Sequence, residues 1–201
     1  IQNSLKTLEA PLERLEAILY AEENVASPTN PSPMPQPVRG QITFEGVDFS
    51  YLPDKPVLSN INARIDAGQS VGLVGQSGAG KSTFVNLVLR LYDPVQGRIL
   101  LDGVDLRELD VNELREQIAY VPQMPLLFNA SVADNIRIGN PDASDEAVHE
   151  AARQANALDV LESLPDGYET ILSERGNSLS GGQRQRIAIA RAFLKDAPIL
   201  V

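Results

Sequence analysis

The chain has 201 residues and no cysteine, so disulfides and zinc–thiolate sites are excluded. Its 17 basic and 27 acidic residues give a formal net charge of −10 at pH 7. This is the wrong sign for binding a phosphate backbone, and we expect no nucleic-acid partner.

The first 23 residues have the pattern of an amphipathic helix. Apolar residues recur at steps of three and four, with glutamates between them. These apolar positions are Leu5, Leu8, Leu12, Leu15, Ile18 and Leu19. We interpret the segment as the end of a helix that arrives from an upstream domain; the alternative is a helix that packs on its own domain. Because the sequence begins at Ile1 and not at methionine, we expect it to be a segment of a longer protein.

Residues 24–40 form a proline-rich linker with prolines at positions 28, 31, 33, 35 and 37. Such a composition favours an extended, semi-rigid spacer. We therefore predict a domain boundary here, with the folded domain over residues 41–201.

Strand and helix patterns alternate along the rest of the chain. We predict strands at 42–49 (interrupted at Gly46), 61–65, 70–74, 98–101 and 118–121, with turns at 53–54 and 102–103. Helices are predicted at 80–92, 111–117, across most of 131–163 with caps at Ser131 and Ser144, and at 181–194. The apolar end at 198–201 has the pattern of a strand cut off in the middle. This order predicts an α/β fold with an antiparallel part and a helical insertion.

A phosphate-binding loop is predicted between the strand at 70–74 and the helix that follows. The segment GQSGAGKS at 75–82 matches G-x-x-x-x-G-K-[ST], whose backbone N–H groups surround an anion. Lys81 can reach the β- and γ-phosphates, and the Ser82 hydroxyl is a natural Mg²⁺ ligand. The predicted phosphate-binding residues are Gly75, Gln76, Ser77, Gly78, Ala79, Gly80, Lys81, Ser82 and Thr83.

A second glycine-rich motif, LSGGQ at 179–183, lies just before the last predicted helix. A serine and two glycines at a helix start make another anion site. One triphosphate rarely needs two phosphate-binding sites in one chain. We therefore expect the second site to bind a phosphate group held by a neighbouring subunit.

With these two motifs in this order, residues 41–201 resemble the nucleotide-binding domain of ATP-binding cassette (ABC) proteins. LSGGQ followed by Arg184-Gln185-Arg186 is similar to the family's signature motif. The resemblance implies a P-loop NTPase (RecA-like) core with an antiparallel β subdomain and a helical subdomain. It also implies ATP as the nucleotide and Mg²⁺ as the metal.

The resemblance also implies roles for residues outside the two glycine-rich motifs. Tyr51 stands where the family stacks an aromatic ring on adenine, and Val57 is a weaker contact to the same base. Gln123 matches the glutamine that acts toward Mg²⁺ and the attacking water, so Lys81 and Gln123 are the implied catalytic residues. Residues 126–128 match the region that receives coupling helices from a membrane domain, although by pattern alone they are ordinary core residues.

The resemblance also implies an assembly. Residues 173–176 are similar to a loop of exporters, and the helix and linker before the domain fit the same class. We expect an exporter half-transporter at the cytoplasmic face of a membrane, with its transmembrane domain upstream of residue 1. Two nucleotide-binding domains, identical or different, would meet head to tail. Each ATP would then contact the phosphate loop of one domain and Ser180, Gly181, Gly182 and Gln183 of the other.

Several family elements are expected only after Val201: the Walker B aspartate, the catalytic glutamate, the D-loop and the switch histidine. His149, the only histidine, precedes the signature, and we interpret it as a solvent-facing helix residue. We expect ATPase activity of the intact protein, and weak binding with hardly any hydrolysis from these 201 residues.

Two functions are alternatives to an exporter ATPase. A non-transport ABC ATPase of DNA repair or translation would need a coiled-coil insertion or a second cassette, and neither is visible. A non-hydrolysing nucleotide-binding regulatory module is the alternative if Val201 is the natural end. We expect the membrane domain to select the transported substrate, and the general resemblance is to lipid or multidrug exporters.

Overall fold

The computed structural model describes residues 25–172 and 179–201. The predicted helix over 1–23 and the exporter-like loop at 173–176 lie outside these ranges. Within them, no helix combines the length and the apolar character that a bilayer crossing requires.

An antiparallel sheet forms one part of the molecule. Its order is β2-β1-β3-β4, formed by β1 (Ile42–Leu52), β2 (Lys55–Ile65), β3 (Gln96–Leu101) and β4 (Val104–Asp105). The predicted turns at 53–54 and 102–103 are confirmed as the β1–β2 and β3–β4 connections. Strand β1 is not interrupted at Gly46 as predicted; its register against β2 shifts between Phe44 and Val47 instead.

Six α-helices occur in the described ranges: α1 (Lys81–Val88), α2 (Val111–Glu116), α3 (Val132–Arg137), α4 (Asp145–Gln154), α5 (Leu158–Glu162) and α6 (Gly181–Lys195). The predicted caps are confirmed, since Ser131 Oγ accepts from Asp134 N at 3.0 Å and Ser144 Oγ accepts from Ala147 N at 3.3 Å. Helix α1 ends at Val88, before the predicted residue 92. The reason is Arg90, whose φ of +47° is incompatible with a continuing right-handed helix.

Buried apolar side chains form two clusters. One, which includes Phe44 and Leu101, lies between the antiparallel sheet and α1. The other, with Ile136, Val148 and Ile187, joins α3, α4, α5 and α6. Between the two regions, β5 (Ile118–Ala119) pairs in parallel with β6 (Ile199–Leu200). The predicted α/β architecture with an antiparallel part and a helical part is thus confirmed.

The predicted buried strand at 70–74 is wrong for this structure. These residues have no strand conformation and are exposed, up to 93% for Val74. A strand forms only where a neighbouring strand satisfies its N–H and C=O groups. In the part of the chain that the structure describes, no such ladder reaches 70–74, and β6 pairs with β5 instead.

Residues 25–40 of the proline-rich linker have no helix or strand, as predicted, but they lie along the folded body. Val25 is buried, and Ser32 N donates to Glu108 O at 2.7 Å. At the end of the linker, the Asp102 carboxylate accepts three backbone hydrogen bonds of 2.7, 3.2 and 2.9 Å, donated by Arg39, Gly40 and Gln41. The linker is therefore attached at several points, and the domain boundary stays a prediction.

We expect Asp102→Asn to lower the free energy of unfolding by about 1–2 kcal/mol, because an amide nitrogen would replace one acceptor facing the converging N–H groups. Asparagine tolerates the positive φ of this position, so backbone strain does not contribute. Urea denaturation measures the change. Asp54→Asn in the exposed β1–β2 turn is the control, and equal effects of the two substitutions would refute the role of Asp102.

Candidate functional site

The glycine-rich loop before α1 has the geometry of an anion site. Gly78 and Gly80 have φ values of +83° and +85°, which turn the backbone sharply before the helix. Gly80 is buried against β2: a Cβ there would lie 2.7 Å from Leu58 Cδ2. The preceding residues, 75–79, are exposed. The loop is thus anchored at its helical end and accessible at its tip.

The Lys81 ammonium lies across this loop. Its Nζ donates to Gly75 O and Gln76 O, each at 2.8 Å. Ser82 is exposed in the first turn of α1, where N–H groups without helical partners give the helix end a partial positive charge. An ammonium, a hydroxyl and the N–H groups of a helix start thus belong to one short segment, and this set of groups suits the oxygens of a phosphate chain.

Tyr51 lies beside α1. Its hydroxyl donates to Thr83 Oγ1 at 3.2 Å and accepts from Asn86 Nδ2 at 3.4 Å. The ring is about half exposed at 47% and meets Phe49 and Tyr92 edge to face. The fold therefore brings Tyr51 to the helix that the phosphate loop opens.

Val57 also adjoins the loop, since its carbonyl oxygen lies 3.3 Å from the position of a Cβ on Gly80. Sequence reasoning missed Asn86, which supports Tyr51, because a single asparagine inside a helix carries no motif. The only signal was its position on the helix that the phosphate loop opens.

The second motif begins α6 with a capping box. Ser180 Oγ accepts from Gln183 N at 3.2 Å, and Gln183 Oε1 accepts from Ser180 N at 2.8 Å. Gly181 and Gly182 are exposed at the helix start. The cap uses an acceptor lone pair of the serine, so its O–H proton remains available to a phosphate oxygen.

The described hydrogen bonds do not bring the three predicted parts of the site together. Gln123 is exposed in the loop after β5, and within the described ranges no hydrogen bond joins it to the phosphate loop or to Ser180. Its role toward Mg²⁺ stays a prediction.

The segment after Gln123 presents an exposed apolar surface. Met124, Leu126 and Phe128 are exposed at 85%, 64% and 57%, whereas Leu127 is buried. The expectation from pattern alone, that residues 126–128 are ordinary core, is therefore wrong for two of the three. Only Leu127 reaches the helical cluster.

Two polar residues that sequence reasoning missed hold this segment in place. The fully buried Asn135 accepts from Phe128 N at 2.8 Å and donates to Phe128 O at 3.0 Å. Arg191 of α6 donates to Asn135 O at 2.9 Å and to Leu126 O at 3.3 Å, and burial lowers its pKa. In the sequence, the signal for both residues was a polar side chain at a position where the helical period predicts an apolar one.

His149 lies on the exposed side of α4, as predicted. Its ring stacks on Tyr168 with centroids 4.1 Å apart. Burial raises the pKa of Tyr168. Neither residue belongs to the phosphate loop or to the second motif.

Most of the chain matches one family of known proteins. The family described as ABC transporter matches residues 58–201. A mitochondrial potassium channel ATP-binding subunit of Xenopus tropicalis is 54% identical over 167 residues, which are 82% of this chain and 24% of that protein. An ATP-dependent lipid A-core flippase of Chromobacterium violaceum is 45% identical over 202 residues, which are 100% of this chain and 35% of that protein.

A bacterial Atm1-family ABC exporter with ATP bound has a similar structure, with a TM-score of 0.86 and 40% sequence identity. The match covers 94% of this chain and 33% of that one. This chain thus spans about a quarter to a third of the relatives it matches. The fold is that of the P-loop NTPases, with the antiparallel and helical subdomains described above, and the chain belongs to the ABC transporter family.

Proposed function

We propose that this chain is the ATP-binding module of an ABC exporter and that the intact protein hydrolyses ATP to drive export. The observation that carries the proposal is the phosphate loop, in which Lys81 lies across backbone carbonyls at the start of α1. Triphosphate oxygens would replace those carbonyls as partners of the ammonium. Tyr51, half exposed beside the same helix, would stack on the adenine ring.

The residues present fit a magnesium ion that arrives with its nucleotide. In the described ranges, no three acidic or histidine side chains form a metal cluster. Mg²⁺ often binds through few protein ligands together with phosphate oxygens and waters. The Ser82 hydroxyl and the Gln123 amide oxygen would be the protein ligands. The metal would supply neutralisation of phosphate charge.

A second cassette would complete the site. Within the described ranges, Ser180 and the exposed glycines after it form no hydrogen bond with the phosphate loop. Ser180, Gly181, Gly182 and Gln183 would therefore bind the ATP held by a partner cassette. Because ATP then has more contacts in the closed pair than in the open one, its binding would favour closure.

The relatives include a flippase and an exporter, which supports transport over a non-hydrolysing regulatory module. The transmembrane domain would precede residue 1, with the cassette at the cytoplasmic face of the membrane. The exposed surface of Met124, Leu126 and Phe128 would face that domain. The exported substrate would be selected there.

Cross-linking tests the shared site. These 201 residues contain no cysteine, so Ser77→Cys in the phosphate loop and Gly182→Cys in the signature introduce the only thiols within them. In the intact protein, we expect an intermolecular disulfide between cassettes that increases with Mg-ATP, and none with either single variant. ATP binding without any cross-link to a second cassette would contradict the head-to-tail arrangement.

A further inference from the structure

Arg90 is a buried cation at the end of the phosphate-loop helix. Only 3% of its surface is exposed, and its guanidinium donates hydrogen bonds in three directions. The first direction is toward Asp93 Oδ1, at 3.1 Å. The second is toward the carbonyl oxygens of Leu109, at 3.0 Å, and Arg107, at 3.4 Å. The third is toward Ala26 O, at 3.1 Å. The last bond joins the helix end to the linker, 64 residues away.

Neighbouring contacts strengthen this junction. Ser27 Oγ accepts from Val111 N at 2.9 Å, at the start of α2. From the same helix, Arg115 donates to Leu89 O at 3.2 Å and to Arg90 O at 2.8 Å. The linker, the first turn of α2 and the carbonyl end of α1 are thus bound to one another.

Helix α1 connects this junction to the phosphate loop. It has eight residues, so its two ends are about 12 Å apart. A helix of two turns moves as one body. Movement of its carbonyl end therefore moves the N–H groups that face the anion site.

We propose that Arg90 is a positioning residue that fastens the linker to the phosphate-loop helix, so that linker docking and ATP binding stabilise each other. The inference rests on the proposed function for the ATP site. Docking orders α1 in advance, which lowers the entropy that ATP binding must remove. Because such coupling is reciprocal, ATP must strengthen linker docking by the same factor. The upstream domain would thereby sense nucleotide through its own covalent connection.

The test compares Arg90→Lys with Arg153→Lys in the intact protein. Lysine keeps the charge at position 90 but lacks the fork that reaches Asp93, Leu109 and Ala26 together. Arg153 is an exposed arginine on α4 whose partner is Glu150, and it serves as the matched control. The measurements are the Kd for Mg-ATP, and hydrogen exchange at the Ser32 amide with and without nucleotide.

We expect Arg90→Lys to raise the Kd about fivefold or more, a typical lower size for such couplings. We also expect ATP to slow hydrogen exchange at the Ser32 amide in the unmodified protein. In Arg90→Lys, ATP should no longer slow this exchange. Arg153→Lys should change neither quantity. Ser27→Ala, which removes no buried charge, should change both in the same direction and carries the test if Arg90→Lys does not fold.

Three results would overturn the inference. In the first, Arg90→Lys is folded and its linker amide exchanges faster, but its Kd for Mg-ATP is unchanged. Arg90 would then hold the linker without affecting the ATP site. Unchanged linker exchange in Arg90→Lys would show that Arg90 does not hold the linker. Absence of ATP binding by the unmodified protein would overturn the proposed function as well, which separates the two failures.

Discussion

Gly80→Ala is expected to weaken Mg-ATP binding about 100-fold. The new Cβ would lie 2.7 Å from the side chain of Leu58, which is buried, and 3.3 Å from Val57 O. Because burial restricts movement of the Leu58 side chain, we expect the loop to move away from β2. Losing two N–H contacts to phosphate at about 1.5 kcal/mol each corresponds to that factor. Titration calorimetry with Mg-ATP measures the change.

Gly103→Ala is the matched control. Gly103 has a φ of +89°, close to the +85° of Gly80, but nothing lies within 4 Å of its added Cβ. Both substitutions should lower the free energy of unfolding by about 1–2 kcal/mol through backbone strain. Only Gly80→Ala should affect ATP binding. Equal ATP affinities of the two variants would show that the contact with β2 does not shape the loop.

Ser180→Arg is expected to abolish ATP-dependent dimerisation while nucleotide binding to the single cassette is unchanged. The arginine would place a long side chain at the exposed start of α6, where the partner's ATP is proposed to bind. In the intact protein, the Ser77→Cys/Gly182→Cys cross-link with and without Mg-ATP measures association of the cassettes, and a fluorescent ATP analogue measures binding.

The substitution also removes a helix cap, which costs about 1 kcal/mol by itself. Ser144→Arg controls for that cost, because Ser144 is exposed and its side chain, like that of Ser180, accepts a hydrogen bond from an N–H group in the first turn of its helix. It should lower stability equally and leave dimerisation intact. Dimerisation of Ser180→Arg at the unmodified level would exclude the shared site.

The local features of this protein followed from its sequence. The helix after the glycine-rich loop, the Ser131 and Ser144 caps and the turns at 53–54 and 102–103 were all predicted correctly. So was the start of α6 at Gly181. Each depends on glycine conformations or on hydrogen bonds between residues a few positions apart, so the pattern of residue types carries the necessary information.

Tertiary structure decided the features whose partners are distant in the chain. The apolar run at 70–74 is not a strand, because strand formation depends on a ladder with a neighbour and not on hydrophobicity alone. Leu126 and Phe128 face outward because Asn135 and Arg191 hold their backbone, the latter from 65 residues away. Arg90 reaches the linker across 64 residues. A guanidinium acquires such partners only after the chain has folded, because nothing in the local sequence specifies which carbonyl groups will converge on it.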